Sequence, residues 1–211
     1  MPPKVKTVQE RQQLRALIID AARELFVSKG VEAVTMREIA KRIGYSPTSI
    51  YLYFADKEAL LRAICDTDLL KLAATLKMVL TIPDPVERLL TVGRTYSEFA
   101  LSYPNHYRMI FMSQRLPYVP ETSSIQRNNL EQDAYYQLKT VVDEVYAAGK
   151  FKPEIQNTEL VAQTIWAATH GVNSLHIAMA KDTWINWCPI EDRLDAMREM
   201  IIRGMLKEPY V

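Results

Sequence analysis

Residues 35–54, TMREIAKRIGYSPTSIYLYF, hold two short helical stretches separated by a turn, and each opens with its own cap. Thr35 and Glu38 have capping-box spacing: the hydroxyl serves one free N–H and the carboxylate reaches back to another. Ile39, Ala40 and Ile43 give that helix an apolar face, and Gly44 supplies its stop. Ser46 caps a second helix whose first turn holds Pro47, where a missing N–H costs nothing. Ile50 and Phe54, four apart, face inward, while Thr48, Tyr51 and Leu52, with Ser49 to the side, point out. A capped helix anchored by two apolar residues, with hydroxyls and an aromatic on its free side, has the shape of a segment that enters a DNA major groove.

Composition narrows the fold class. The chain has 211 residues, 48% of them apolar, and only six glycines. Alternating strand-like runs are missing, so helices around an ample core are expected. No run of 18 apolar residues occurs, and the opening MPPKVKTVQE has no apolar signal region. The expectation is a soluble, cytoplasmic, nucleoid-associated protein with no membrane partner. Cys65 and Cys188 stand far apart without metal spacing and read as free thiols in a reducing compartment. The net charge of +1 hides an asymmetry: residues 1–57 hold ten Lys/Arg against six Asp/Glu, a net +4, and the rest hold sixteen against nineteen, a net −3. A basic head on a mildly acidic body suits a head that meets phosphate.

Outward from the central unit, Lys4 and Lys6 lie in a loose basic arm, and a helix from about Gln9 to Lys29 carries Leu14, Ile18, Ala22 and Phe26 as a brace. Gly30 ends it. Asp56 caps a long helix from Lys57 to about Leu80, and Asp84-Pro85 opens another that runs to Ser102. Pro104 opens a short helix, and residues 113–124 form a loop with Pro117 and Pro120. Ser123 with Gln126 starts a helix ending near Ala148, Asn157 caps one to about Ala180, and Pro189 opens the last, through Lys207. The fold class is all-α, with about nine helices and no strand. The penultimate helix is apolar almost all round, and the last shows the stripe Ile190, Leu194, Met197, Ile201 and Met205. One protein body cannot easily cover both, so a helical partner surface is expected there.

Ile18 to Ile64 resembles the DNA-binding head of the TetR family of bacterial transcriptional regulators. The carrying pieces are Ala22 through Phe26 with Lys29-Gly30, then Thr35 through Ala40, Gly44, Ser49 through Phe54 and Lys57 through Leu60. Trp166, His170 and Gly171 in WAATHG, preceded by HYRMIF at 106–111, resemble the effector-domain subgroup with a W…HG signature. The resemblance implies a three-helix DNA-binding head with a helix-turn-helix in residues 1–55. It implies a helical ligand-binding and dimerisation bundle in residues 56–211. It also implies a homodimer through the last two helices, about 158–180 and 190–207, and a small, largely apolar effector that releases a palindromic operator in double-stranded DNA.

Carried over onto this sequence, the family's DNA contacts fall on Thr35, Ser46, Pro47, Thr48, Ser49, Tyr51, Tyr53 and Lys57. Thr35, Ser46 and Lys57 sit at helix starts, where free N–H groups favour phosphate. Tyr51 and Tyr53 can donate a phenolic O–H to a phosphate, and Thr48, Ser49 and Leu52 face base edges. Many relatives carry Lys or Gly where Pro47 and Thr48 stand, so the operator sequence does not transfer. In the body, Tyr96, Phe99, Tyr103, Tyr107, Phe111, Trp166, His170 and Asn173 are the candidate ligand contacts, with Met112, Tyr135 and Tyr136 beside them. Trp166, His170 and Asn173 share one helical face by i, i+4, i+7 spacing; equally, aromatic stripes at this spacing form ordinary core.

Enzyme readings find no support: no G-x-S-x-G, phosphate loop, dinucleotide fingerprint or HExxH occurs. No catalytic residue, metal ligand or cofactor is assigned. The competing class is a helical protein-interaction or adaptor module that uses the two-helix unit for packing alone. An activator would carry the same sequence signature as a repressor.

Overall fold

The computed structural model describes residues 7–113 and 120–208; the arm with Lys4 and Lys6, and Pro117 of the loop, lie outside the described residues. Among the described residues nine α-helices follow one another: α1 Val8–Lys29, α2 Met36–Arg42, α3 Pro47–Tyr51, α4 Lys57–Lys77, α5 Pro85–Ser102, α6 Pro104–Tyr107, α7 Ala134–Ala147, α8 Thr158–Met179 and α9 Ile190–Met205. A 3₁₀ turn, Met78–Thr81, extends α4, and a π-helical turn, Arg108–Met112, extends α6. Among the described residues there is no strand, and the one β pairing is an isolated bridge between Phe151 and Leu206. The all-α expectation holds. None of the described helices is long and apolar enough to cross a membrane.

The described residues divide into two compact units, Met1–Asp68 with Asn105–Ile125, and Leu69–Pro104 with Gln126–Val211. In the first, α1 opens on a complete capping box between Thr7 and Glu10, one residue earlier than expected, and closes on Gly30 at φ 84°. That positive φ is why glycine stands there. Thr35 does cap α2, accepting from Glu38 N–H at 3.2 Å. The second half of the expected box is absent, because the Glu38 carboxylate pairs with Lys29 instead. The lysine that ends α1 offers a charge-assisted bond, which outcompetes a neutral backbone N–H. Ile18, Ala22, Ile39, Ala40, Ile50, Leu60 and Ile64 are essentially sealed from solvent and form one core with Phe26, Phe54 and Met109.

In the second unit, α5, α7 and α8 pack through Val92, Phe99 and Ala100, Val141, Val142 and Val145, and Ala162 and Ile165. The helix expected to begin at Ser123 begins at Ala134 instead. Asp133 is the working cap, accepting from Tyr135 and Tyr136 N–H at 3.1 Å each, and Asn128 at φ 60° interrupts any earlier helix. Ser123 is otherwise engaged: with Ser124 it donates to the Asp66 carboxylate of the first unit. A hydroxyl that finds a carboxylate elsewhere is no longer available as a cap.

Candidate functional site

The two-helix unit places its residues much as their spacing dictates. Ser46 accepts from Ser49 N–H at 3.2 Å, and the two hydroxyls lie 2.9 Å apart, so Ser49 is tied to its own cap. Ile50 and Phe54 are buried beneath α3, fixing its roll. The opposite face is open: Pro47 and Thr48 are exposed, Tyr51 is 51% exposed and Leu52 81%. Thr35 is exposed at the start of α2, while Tyr53 is half-buried and packs against the core. Lys57 is turned inward: its ammonium donates to Val31 C=O at 3.0 Å and lies 4.0 Å from Glu32. Of the eight residues named for DNA contact, Thr35, Pro47, Thr48 and Tyr51 thus stand on open surface, with Ser46 and Ser49 held at its edge.

The head holds a cluster that sequence reasoning missed. Arg23 of α1 donates to Asp68 of α4 through Nε at 2.9 Å and Nη2 at 2.6 Å, and His106 of α6 meets Asp68 Oδ1 at 2.8 Å through Nδ1. Arg23 and Asp68 are buried. Burial works against the guanidinium charge, but the Asp68 and Asp20 carboxylates outweigh it and hold the Arg23 pKa above its usual value. Nothing local announces the trio, since its members come from three helices.

The body candidates fall in both units. Tyr107 and Phe111, rings 5.0 Å apart, belong to the first unit. The other six belong to the second. Trp166 Nε1 donates to Tyr96 Oη at 3.1 Å, and its ring lies 5.8 Å from that of Tyr135. Tyr135 donates to Glu159; burial and that carboxylate push the phenol up to about 12. Phe99 lies 5.5 Å from Tyr103, whose ring carries the Lys71 ammonium at 3.4 Å. Asn173 is sealed inside, donating to Ser97 Oγ and Thr169 C=O at 3.0 Å each, with its own Oδ1 unpartnered. His170 is half-buried, and burial holds its imidazole below its usual pKa. An apolar cleft among α5, α8 and α9, lined by Leu89, Gly93, Ile165, Met197 and Ile201, has about 30 Å³ of free interior. That is room for about two waters, not for an effector.

The stripe expected to meet a partner on α9 lies inward instead. Leu194 is buried, and Ile190, Met197, Ile201 and Met205 are half-buried. Ala196, Met200 and Gly204 are exposed among the charged residues Glu191, Asp192, Asp195, Glu199 and Arg203, with Met200 73% exposed; on α8, Ala167, Leu175 and Ala178 are likewise exposed. Monomer packing takes part of the apolar stripe and leaves Met200, with the small Ala196 and Gly204, among charged residues on the open side.

These features define a helix-turn-helix head followed by a helical body. A family model described as "Bacterial regulatory proteins, tetR family" matches residues 18–64, and one described as "Tetracyclin repressor-like, C-terminal domain" matches residues 89–186. The chain belongs to the TetR family of bacterial regulatory proteins. It is 38% identical over 69 residues to the uncharacterized HTH-type transcriptional regulator YfiR of Bacillus subtilis, covering 33% of each chain. It is 42% identical over 55 residues to the HTH-type transcriptional regulator UidR of Escherichia coli, covering 26% of this chain and 28% of that one. The aligned part spans about a third of the length of these curated relatives. In fold it is similar to FadR of Bacillus subtilis, a transcriptional regulator solved in complex with stearoyl-CoA, at TM-score 0.71 and 18% identity, covering 90% of this chain and 98% of that one.

Proposed function

We propose that the chain is a ligand-responsive, DNA-binding transcriptional regulator that acts as a repressor. One observation carries the reading: the face of α3 bearing Thr48, Tyr51 and Leu52 is open, while Ile50 and Phe54 hold its reverse in the core. An exposed tyrosine and leucine on a rigid, basic head suit a surface that another molecule covers, and duplex DNA is the partner that a helix of this presentation fits. Thr35, Ser46, Pro47, Thr48, Ser49, Tyr51, Tyr53 and Lys57 are its DNA-facing set, with Lys57 having to leave Val31 to reach a phosphate.

The body, within residues 56–211, receives a small, largely apolar effector among Tyr96, Phe99, Tyr103, Trp166, His170 and Asn173. The Tyr96–Trp166 bond and the spare Asn173 oxygen support a mostly aromatic site with few polar groups. Two copies associate through α8 and α9, using the exposed face with Leu175 and Met200. Paired recognition helices then meet half-sites about 34–36 Å apart. The effector lowers DNA affinity by its preference for the body conformation in which the heads are displaced. The protein works in the cytoplasm.

The test is a gel-shift titration with duplex from the chain's own upstream region at several salt concentrations. Affinity should fall steeply with salt, because phosphate neutralisation releases counterions. A protein that ignores these duplexes at low ionic strength is an adaptor module, not a regulator.

A further inference from the structure

Resting on the DNA-binding reading, we infer that Leu52 recognises the 5-methyl group of a thymine in the major groove. Among the described residues of the first unit, Leu52 is the most exposed large apolar side chain, at 81%. Its backbone is nevertheless fixed. It continues the helical path of α3 at φ −69°, ψ −19°, and on either side Ile50 and Phe54 are buried. Tyr53 and Phe54 N–H groups both donate to Ile50 C=O, at 2.9 and 3.1 Å.

Leu52 therefore stands one turn beyond Thr48 on the same side of the helix, with the two Cβ atoms about 5–6 Å apart. Leu52, Thr48 and Tyr51 are all exposed there. Leucine has no donor or acceptor, so neither a phosphate nor a base-edge heteroatom rewards its placement there. Of the groups that a major groove displays, the thymine methyl is the apolar one. Covering the leucine with that methyl removes apolar surface of both from water, worth about four-fold in affinity for one buried methyl equivalent.

The experiment uses the full chain to select sites from a randomised duplex library, then replaces each consensus thymine in turn by deoxyuridine, which lacks only the methyl. The wild type loses about four-fold at one thymine in each half-site. Leu52→Ala binds the thymine and deoxyuridine duplexes alike at that position, and Leu52→Met keeps the discrimination. Since Leu52 touches little of its own chain, both variants melt like the wild type by circular dichroism. A methyl dependence that persists in Leu52→Ala overturns the assignment, as does the absence of any methyl-dependent thymine. Failure to select any site overturns the DNA-binding reading itself and takes this inference with it.

Discussion

Asp68 grips Arg23 at two points, Oδ2 taking Nε at 2.9 Å and Oδ1 taking Nη2 at 2.6 Å, across forty-five residues of sequence. The planar guanidinium fork matches the carboxylate, and both groups are buried. This pair ties the brace helix α1 to α4, with His106 adding α6 through the same carboxylate.

Removing one partner strands the other charge in the core. Asp68→Ala should cost about 3–5 kcal/mol in urea unfolding, whereas the double change Arg23→Met with Asp68→Leu should cost far less. Equal costs for the two would show that the pair is not buried as described.

Stability and DNA affinity should separate on α3. Ile50→Ala removes a sealed side chain and should cost about 2–5 kcal/mol. Tyr51→Ala acts on an exposed one and should stay within about 0.5 kcal/mol in a thermal melt, yet weaken operator binding in a gel shift. Unchanged affinity in Tyr51→Ala removes that tyrosine from the interface.

Two histidines of α8 set a pH dependence. Burial lowers the pKa of His170, and burial followed by the Arg193 charge lowers that of His176. The unfolded chain therefore binds protons near the ordinary imidazole pKa of about 6.5 while the folded chain still resists them. Stability is thus full above that value and falls as pH drops below it. Thermal melts between neutral and mildly acid pH should show this drop, and His170→Gln with His176→Gln should flatten it. A double variant with the wild-type slope refutes the assignment to these imidazoles.

Association should depend on the outward side of α9. Met200→Glu places a charge on the exposed face without entering the monomer core. It should shift the protein towards monomer in analytical ultracentrifugation and lower operator affinity, with helicity retained. A dimer of undiminished strength moves the interface elsewhere.

The parts of the fold that could be read in advance are those settled within a few residues. Ser46, Asp56, Asp84 and Asn157 each bond an N–H three residues on, as their spacing implies. Ile50 and Phe54 go inward for the same local reason. Glu38 and Ser123 defeated the local reading because each found a partner brought near by folding, Lys29 for one and Asp66 for the other. The last helix shows the same limit: a stripe establishes that one face is covered, not whether the cover comes from the same chain or a second copy.

What the sequence determined by itself was the helical class, the order of the helices, and the two-helix unit with Thr48, Tyr51 and Leu52 on its free side, because capping and the 3.6-residue period are short-range constraints. Only the tertiary structure decided that Arg23, Asp68 and His106 meet, that Lys57 turns to Val31, and that Met200 stays exposed on α9 while Leu194 is buried. A buried charge or an apolar face takes whichever partner packing delivers, and that partner can lie anywhere along the chain.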